Sequence, residues 1–269
     1  MSNKWINLSD KVVIVTGGAG GIGEAMVRNF AANGARTISA DIKINEEYKN
    51  IELIDSIICD VSSKKSIDNM VETVFERYGK IDGLINNAGV GRIRLLIDYY
   101  GKKPEMESSE DDFDYMVNIN QKGVFFCSQA VARIMVNQKS GVIVNVTSEA
   151  GIEGSKAQSI YAGTKAAVHA FGLSWAKELG PYNVRVVGLE PAMNERTNLG
   201  GGGYFEELSY ARGQEPDPKK IHSDYSKKIP LGRLGRLEEL ADLACYLVSD
   251  HASYITGTTI SITGGKSKG

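Results

Sequence analysis

Two rhythms of apolar and polar positions alternate along the chain. Short runs rich in β-branched residues, KVVIVT, ARTISAD, LIDSIICD, DGLINNAG, GVIVNVTS and NVRVVGLEP, read as strands. Between them, at roughly 21 to 33, 63 to 78, 113 to 138 and 158 to 179, apolar residues recur at the spacing of one helix face. Such alternation implies right-handed βαβ crossovers and a parallel sheet covered by helices on both faces. The expected fold is α/β, a doubly wound parallel sheet flanked by helices. No domain boundary interrupts the pattern, so residues 1–269 are expected to form a single domain.

Two segments depart from this rhythm. Residues 90 to 112, VGRIRLLIDYYGKKPEMESSEDD, make a long connection rich in charge and aromatic rings. Residues 190 to 228 carry the flexible GGGYF and the turn-forming PDP. Connections this long inside a compact domain are functional loops or solvated insertions. The second is expected to serve as a substrate loop or lid.

Composition narrows the partners. A chain of 269 residues can bury a large core. Its net charge is only -2, with both signs interleaved, so it lacks the basic field that a nucleic-acid backbone demands, and no nucleic-acid partner is expected. Cys59, Cys127 and Cys245 are far apart, and His169, His222 and His251 form no H-x-x-x-H, so neither a disulfide framework nor a metal site is expected. The opening MSNKWINLSDKVVIVTGG holds no apolar run of signal-peptide or membrane-span length. No membrane partner is expected, and the cytoplasm is the expected location.

Chemistry enters after the first strand, at Thr16-Gly-Gly-Ala-Gly-Gly-Ile-Gly23, which leads directly into EAMVRNFAANG. A turn without side chains lets the backbone approach a pyrophosphate, and the helix that follows offers unpaired N–H groups and a positive dipole end. Gly17, Gly21 and Gly23 are the positions assigned to that task, and the expected ligand is a dinucleotide. Asp41 ends the second strand, where a carboxylate accepts hydrogen bonds from both adenosine ribose hydroxyls and repels the extra phosphate of NADP. NAD is therefore the expected cofactor, with Lys43 nearby as the residue that argues the other way.

A second constellation lies in SEAGIEGSKAQSIYAGTK, which brings Ser148, Tyr161 and Lys165 within eighteen residues. Tyr161 and Lys165 are four apart and so share one face of a helix. Ser148 follows a strand whose carboxyl end should meet the ligand crevice. Together with Thr16-Gly-x-x-x-Gly21-x-Gly23, Asp60, Asn86-Asn-Ala-Gly89 and Asn120, these residues resemble, in order and spacing, the short-chain dehydrogenase/reductases.

That resemblance runs from the first strand to SYITGTTISITGG and implies a Rossmann-type fold and an NAD-dependent dehydrogenase. It implies Tyr161 as general base, Ser148 as anchor of the reacting oxygen, Lys165 as the cation that lowers the phenol's pKa and bonds the nicotinamide ribose, and Asn120 as support for a proton relay. For the cofactor it implies contacts from Thr16, Gly17, Gly21, Ile22, Gly23, Asp41, Asp60, Val61, Asn87, Ala88, Gly89, Tyr161, Lys165 and Pro191. Asp60 also reads as a turn cap. The family's Pro-Gly and later Thr here become Pro191-Ala192 and Thr197, which leaves the carboxamide contacts open.

A closer likeness rests on RLLID, MVNINQKGVFF, SQAVARIM, SEAGIEGS, SWAKELG, VRVVG, SYITG and the terminal GGK. It implies a small-molecule substrate, a polyol phosphate oxidised at C2. Phosphate needs cations, and Arg94, Lys156, Arg196 and Arg212 are the candidates, each also readable as a solvated surface charge. Ser148 and Tyr161 would meet the reacting hydroxyl, while Glu149 and Glu153 would bond others along the carbon chain. Two other readings stay open: a dehydrogenase of an unphosphorylated polyol or small secondary alcohol, and a dinucleotide-binding sensor without catalysis. The resemblance also implies a homo-oligomer, with a tetramer favoured, through the helices at 113 to 138 and 158 to 179, where Phe171, Leu173 and Trp175 belong either to that contact or to the core.

Overall fold

Among the residues described by the computed structural model, 5–195, 203–214 and 218–266, seven parallel strands form one sheet. They are β1 (Val12–Thr16), β2 (Arg36–Asp41), β3 (Ile54–Ile58), β4 (Gly83–Asn86), β5 (Gly141–Val146), β6 (Val184–Pro191) and β7 (Thr258–Ile262). Their spatial order is β3-β2-β1-β4-β5-β6-β7. The chain winds outward from β1 through β2 to β3, then returns to place β4 on the other side of β1. This reversal opens a crevice at the carboxyl ends of β1 and β4, the place where such sheets bind ligands.

Strand periodicity sends alternate residues to opposite faces, and each face has its own core. Val13 and Val15 join Met26, Phe30, Ala244 and Leu247 beneath α1 (Gly21–Ala32) and α9 (Leu237–Val248). Val12 and Ile14 pack with Met70, Val131 and Ala176 beneath α2 (Lys64–Tyr78), α4 (Val124–Gln138) and α6 (Ser159–Leu179). The helix ends follow local chemistry: the Ser63 hydroxyl accepts from the Ser66 N–H at 3.3 Å to start α2, and Gly79, at φ 70°, ends it.

The helical segment expected at 113 to 138 begins earlier and is not uniform. It comprises α3 (Glu110–Val117), a π-helical turn over Asn118–Gly123, and α4. The start moves because Ser109 and Asp112 form a reciprocal capping box. After β5 comes the single turn α5 (Ala150–Glu153).

Among the described residues, three longer helices besides α5 lie outside the segments assigned from periodicity. They are α9 and, within the region read as a lid, α7 (Tyr204–Arg212) and α8 (Pro218–Ser226). In α9 the buried Leu240, Ala241, Ala244, Leu247 and Val248 keep plain helix-face spacing, a signal the sequence reading passed over. The long connection at 90 to 112 has an apolar side of its own. Ile93, Leu95 and Met106 form a third cluster with Ala157, with Leu208 and Ala211 of α7, and with Ile221 of α8. A cap thus sits on the carboxyl edge of the sheet, beside the segment that joins Ser148 to Tyr161.

Candidate active site

Parts of the glycine turn admit nothing larger. Gly17 adopts φ 65°, and a Cβ on Gly23 would lie 2.0 Å from the Gly17 carbonyl oxygen. Gly21, at φ 55°, faces open space. Gly20 precedes α1 without any side-chain cap, so the first N–H groups of that helix remain available to an anion. Ile22 packs against the core cluster under α1. Close backbone approach and an uncapped helix end together fit a dinucleotide pyrophosphate.

The neighbouring strand end is laced to this turn. The Thr16 hydroxyl donates to the Ile85 carbonyl at 3.2 Å and accepts from the Asn87 and Ala88 N–H groups, each at 3.1 Å. The Asn87 amide donates to the Thr16 and Gly17 carbonyls at 3.0 and 3.1 Å. Sequence reasoning missed a further support, the buried Tyr48, whose hydroxyl donates to the Gly18 carbonyl at 2.7 Å. The only hint was an aromatic residue in an otherwise charged turn.

Asp41 reaches the same turn. One carboxylate oxygen accepts from the Ala19 N–H at 3.0 Å and the other from the Lys43 N–H at 3.3 Å, and the Lys43 side chain is exposed. Asp60 accepts from the Ser62 N–H and hydroxyl at 2.9 and 2.7 Å, the geometry of its turn-cap reading. Val61 packs against Gly123, where a Cβ would lie 2.9 Å from the Val61 carbonyl oxygen.

Tyr161 and Lys165 project together from α6, both buried, with the Lys165 Nζ 5.8 Å from the Tyr161 ring centre. Lys165 donates to the Val146 carbonyl at 2.8 Å, which ties it to the strand that delivers Ser148. Burial pushes the Tyr161 phenol up to about 12, against the pull of its hydrogen bond with the Ser148 hydroxyl, and pushes Lys165 down to about 8. The expected lowering of the phenol by Lys165 is therefore not the balance found here. The ammonium lies almost 6 Å from the ring centre, and burial disfavours charge on both groups.

Asn120, fully buried, sits in the π-helical turn, a local break in the helix. Its Oδ1 accepts from the Val90 N–H at 2.8 Å, and its Nδ2 donates to the Val90 carbonyl at 2.8 Å and the Thr164 hydroxyl at 3.2 Å. A Cβ on Gly89 would lie 3.5 Å from both the Asn120 Oδ1 and the Lys165 Nζ, so the β4 loop runs between them. Pro191, at the end of β6, accepts from the Glu149 N–H at 3.1 Å.

The candidate substrate residues fare differently. Arg94 is spent on Asp112 at 3.2 Å and Glu207 at 3.1 Å, which removes it as a free phosphate anchor. Lys156 is exposed, with its Nζ 5.5 Å from the Tyr99 ring centre. Arg212 ends α7 half-exposed and forms no ion pair with any other described residue. It acts electrostatically on Tyr204, a phenol that burial pushes upward, and Tyr204 in turn influences Tyr161. Tyr204 also hydrogen-bonds Gln158, and neither residue was foreseen.

Glu149 and Glu153, expected to meet polyol hydroxyls, are instead engaged by protein. Lys266 donates to Glu149 at 2.9 Å and to Glu153 at 3.0 Å, and the Tyr225 hydroxyl donates to Glu149. Arg196 and Thr197 lie outside the described residues. Also among the described residues, no three metal-ligating side chains gather, and no helix is long and apolar enough to cross a membrane.

This chain belongs to the short-chain dehydrogenase family, whose model matches residues 11–202, and it is an oxidoreductase of the kind that uses a nicotinamide dinucleotide. Its curated relatives include the sorbitol-6-phosphate 2-dehydrogenase of Klebsiella pneumoniae, 48% identical over 268 residues, an alignment covering 99% of this chain and 100% of that one. The 3-oxoacyl-[acyl-carrier-protein] reductase FabG of Thermotoga maritima is 37% identical, with 97% and 99% covered. The crystal structure of gox2181 matches with a TM-score of 0.82 at 30% identity, covering 97% of this chain and 96% of that one.

Proposed function

We propose that this protein is an NAD-dependent oxidoreductase that interconverts sorbitol 6-phosphate and fructose 6-phosphate by hydride transfer at C2. The substrate rests on the full-length likeness to the Klebsiella pneumoniae enzyme. The observation that carries the chemistry is the buried α6 face, where Tyr161 and Lys165 stand beside the Ser148 hydroxyl.

In the oxidation, Ser148 holds the C2 hydroxyl and Tyr161 takes its proton; in the reverse direction Tyr161 returns it. Burial raises the phenol to about 12, so its ionised form needs a nearby cation. Below about pH 8 Lys165 is protonated and supplies that charge. Asn120 holds the β4 loop through Val90 and supports the path by which the proton leaves. Bound NAD supplies the hydride acceptor. Thr16, Gly17, Gly21, Ile22 and Gly23 hold its pyrophosphate with α1, Asp41 meets the adenosine ribose, and Asp60 and Val61 meet the adenine. Asn87, Ala88, Gly89 and Pro191 line the side toward the nicotinamide.

A second reading, oxidation of an unphosphorylated polyol, draws support from the engagement of Arg94 by two carboxylates. The FabG likeness keeps other small carbonyl and alcohol substrates in the same frame. The test is to supply NAD and sorbitol 6-phosphate and follow NADH together with the ketose formed. Fructose 6-phosphate as product supports the proposal. NADH from free polyols alone supports the second reading, and no turnover over a broad alcohol panel supports a dinucleotide-binding sensor.

The proposed site of this reaction is the cytoplasm. The protein acts as a homo-oligomer, tetramer favoured. Phe125 and Trp175, in edge-on contact, line a groove of about 580 Å³ between α4 and α6, apolar surface that a second copy would cover.

A further inference from the structure

Four chain segments that are distant in sequence converge on one carboxylate beside the candidate catalytic serine. Glu149 follows Ser148 directly, and its side chain is only 12% exposed. One of its oxygens accepts from the Tyr225 hydroxyl, contributed by α8. The other accepts from the Lys266 ammonium at 2.9 Å, contributed by the segment after β7. Lys266 also bonds Glu153 at 3.0 Å and lies 5.3 Å from the Tyr225 ring centre. The Tyr225 hydroxyl accepts from the Met193 N–H at 3.2 Å, which brings in the loop after β6. Burial opposes the charge on Lys266, yet the two carboxylates outweigh it and hold the ammonium above its usual value.

We propose that Glu149 is a positioning residue, gripped by Tyr225 and Lys266, that fastens α8 and the cap it carries to the catalytic strand end. The assignment rests on the reading of Ser148 and Tyr161 as the catalytic pair. Lys266 and Tyr225 both lie beyond the residues matched by the family model. Ile221, one turn before Tyr225 on α8, packs in the apolar cluster with Leu208 and Ala211 of α7, so the grip on Tyr225 is transmitted to both cap helices. The Glu149 backbone is held independently, through its N–H to the Pro191 carbonyl at 3.1 Å. Loss of the side-chain grip therefore frees the cap and leaves Ser148 in place. The effect belongs in substrate binding rather than in the chemical step.

Two readouts on the full chain test this. The first, hydrogen exchange without substrate, needs no assigned activity. Lys266→Met and Tyr225→Phe should lose amide protection across 218–226 while 110–117 stays as in wild type, and Lys266→Arg should retain it. The second is steady-state kinetics with sorbitol 6-phosphate and NAD. Lys266→Met should raise KM for the polyol phosphate about tenfold, the size of one lost charge-assisted hydrogen bond, with kcat within about threefold of wild type. Lys266→Arg should recover most of that KM.

Unchanged protection at 218–226 in both variants would overturn the proposal. So would lost protection with an unaltered KM, or a fall in kcat alone. If wild type does not oxidise sorbitol 6-phosphate, the proposed function fails, and the exchange experiment still decides whether Glu149 holds α8.

Discussion

The two walls of the crevice are built on different principles. The cofactor wall comes from contiguous motifs: a glycine turn directly after β1, a laced strand end after β4, and an aspartate ending β2. Each is local, and each has a backbone reason for its residue types. The substrate wall is assembled from residues 90 to 112, α7, α8 and the chain's last described residues, which meet through an apolar cluster and through ion pairs spanning up to 117 positions. The proposed chemistry resides at the seam, where Ser148, Tyr161 and Lys165 lie on the sheet side. Under the proposed function, the difference teaches that reaction type and substrate choice are written in separable parts of this chain.

The largest effect should come from the seam. Tyr161→Phe removes the proposed proton acceptor and should lower kcat by about a thousandfold, or about 4 kcal/mol, with unchanged circular dichroism. Retention of kcat would break the division at once.

Next comes the ion cluster that roots the cap. Asp112 is buried, bonded to Arg92 at 2.7 Å and Arg94 at 3.2 Å, and it also caps α3. Burial works against its charge, but Arg92, Ser109 and Arg94 outweigh this and hold the carboxyl at about 2. Asp112→Asn should cost about 3 kcal/mol in chemical denaturation at neutral pH, because two guanidinium groups lose their shared partner. The folded carboxyl lies below its ordinary value near 4. Its stabilisation is therefore complete above about pH 4 and is lost as pH falls through about 2. Melting curves of wild type and variant should converge over that window, and a constant gap would contradict the assignment.

Smaller, and diagnostic of substrate choice, is Arg212→Met. It should raise KM for sorbitol 6-phosphate about tenfold and leave free sorbitol unaffected. Smallest is Asp41→Ala, expected to narrow the ratio of kcat/KM with NAD to that with NADP by about fivefold. An unchanged ratio would remove Asp41 as the determinant.

The sheet, its connections and the meeting of Ser148, Tyr161 and Lys165 were legible because their signals are local. Buried strands read as apolar runs, α6 sets Tyr161 and Lys165 one turn apart, and Gly17 and Gly23 answer to a φ and a close approach within a few residues. The cap was not. Arg94 reads as a free cation until Asp112 and Glu207 are brought to it in space, and Glu149 reads as a substrate ligand until Lys266 and Tyr225 arrive from the far end of the chain. Burial of the Tyr161 phenol, which outweighs the pull of the Ser148 hydroxyl, is likewise a property of packing and not of spacing.

The most direct test compares kcat/KM of the wild-type protein for sorbitol 6-phosphate and for sorbitol, at saturating NAD and neutral pH. A phosphate anchored by charge-assisted hydrogen bonds predicts a preference of about a hundredfold or more for the phosphorylated substrate. Equal values would contradict the account, leaving an intact oxidoreductase seam beneath a cap that reads something other than phosphate.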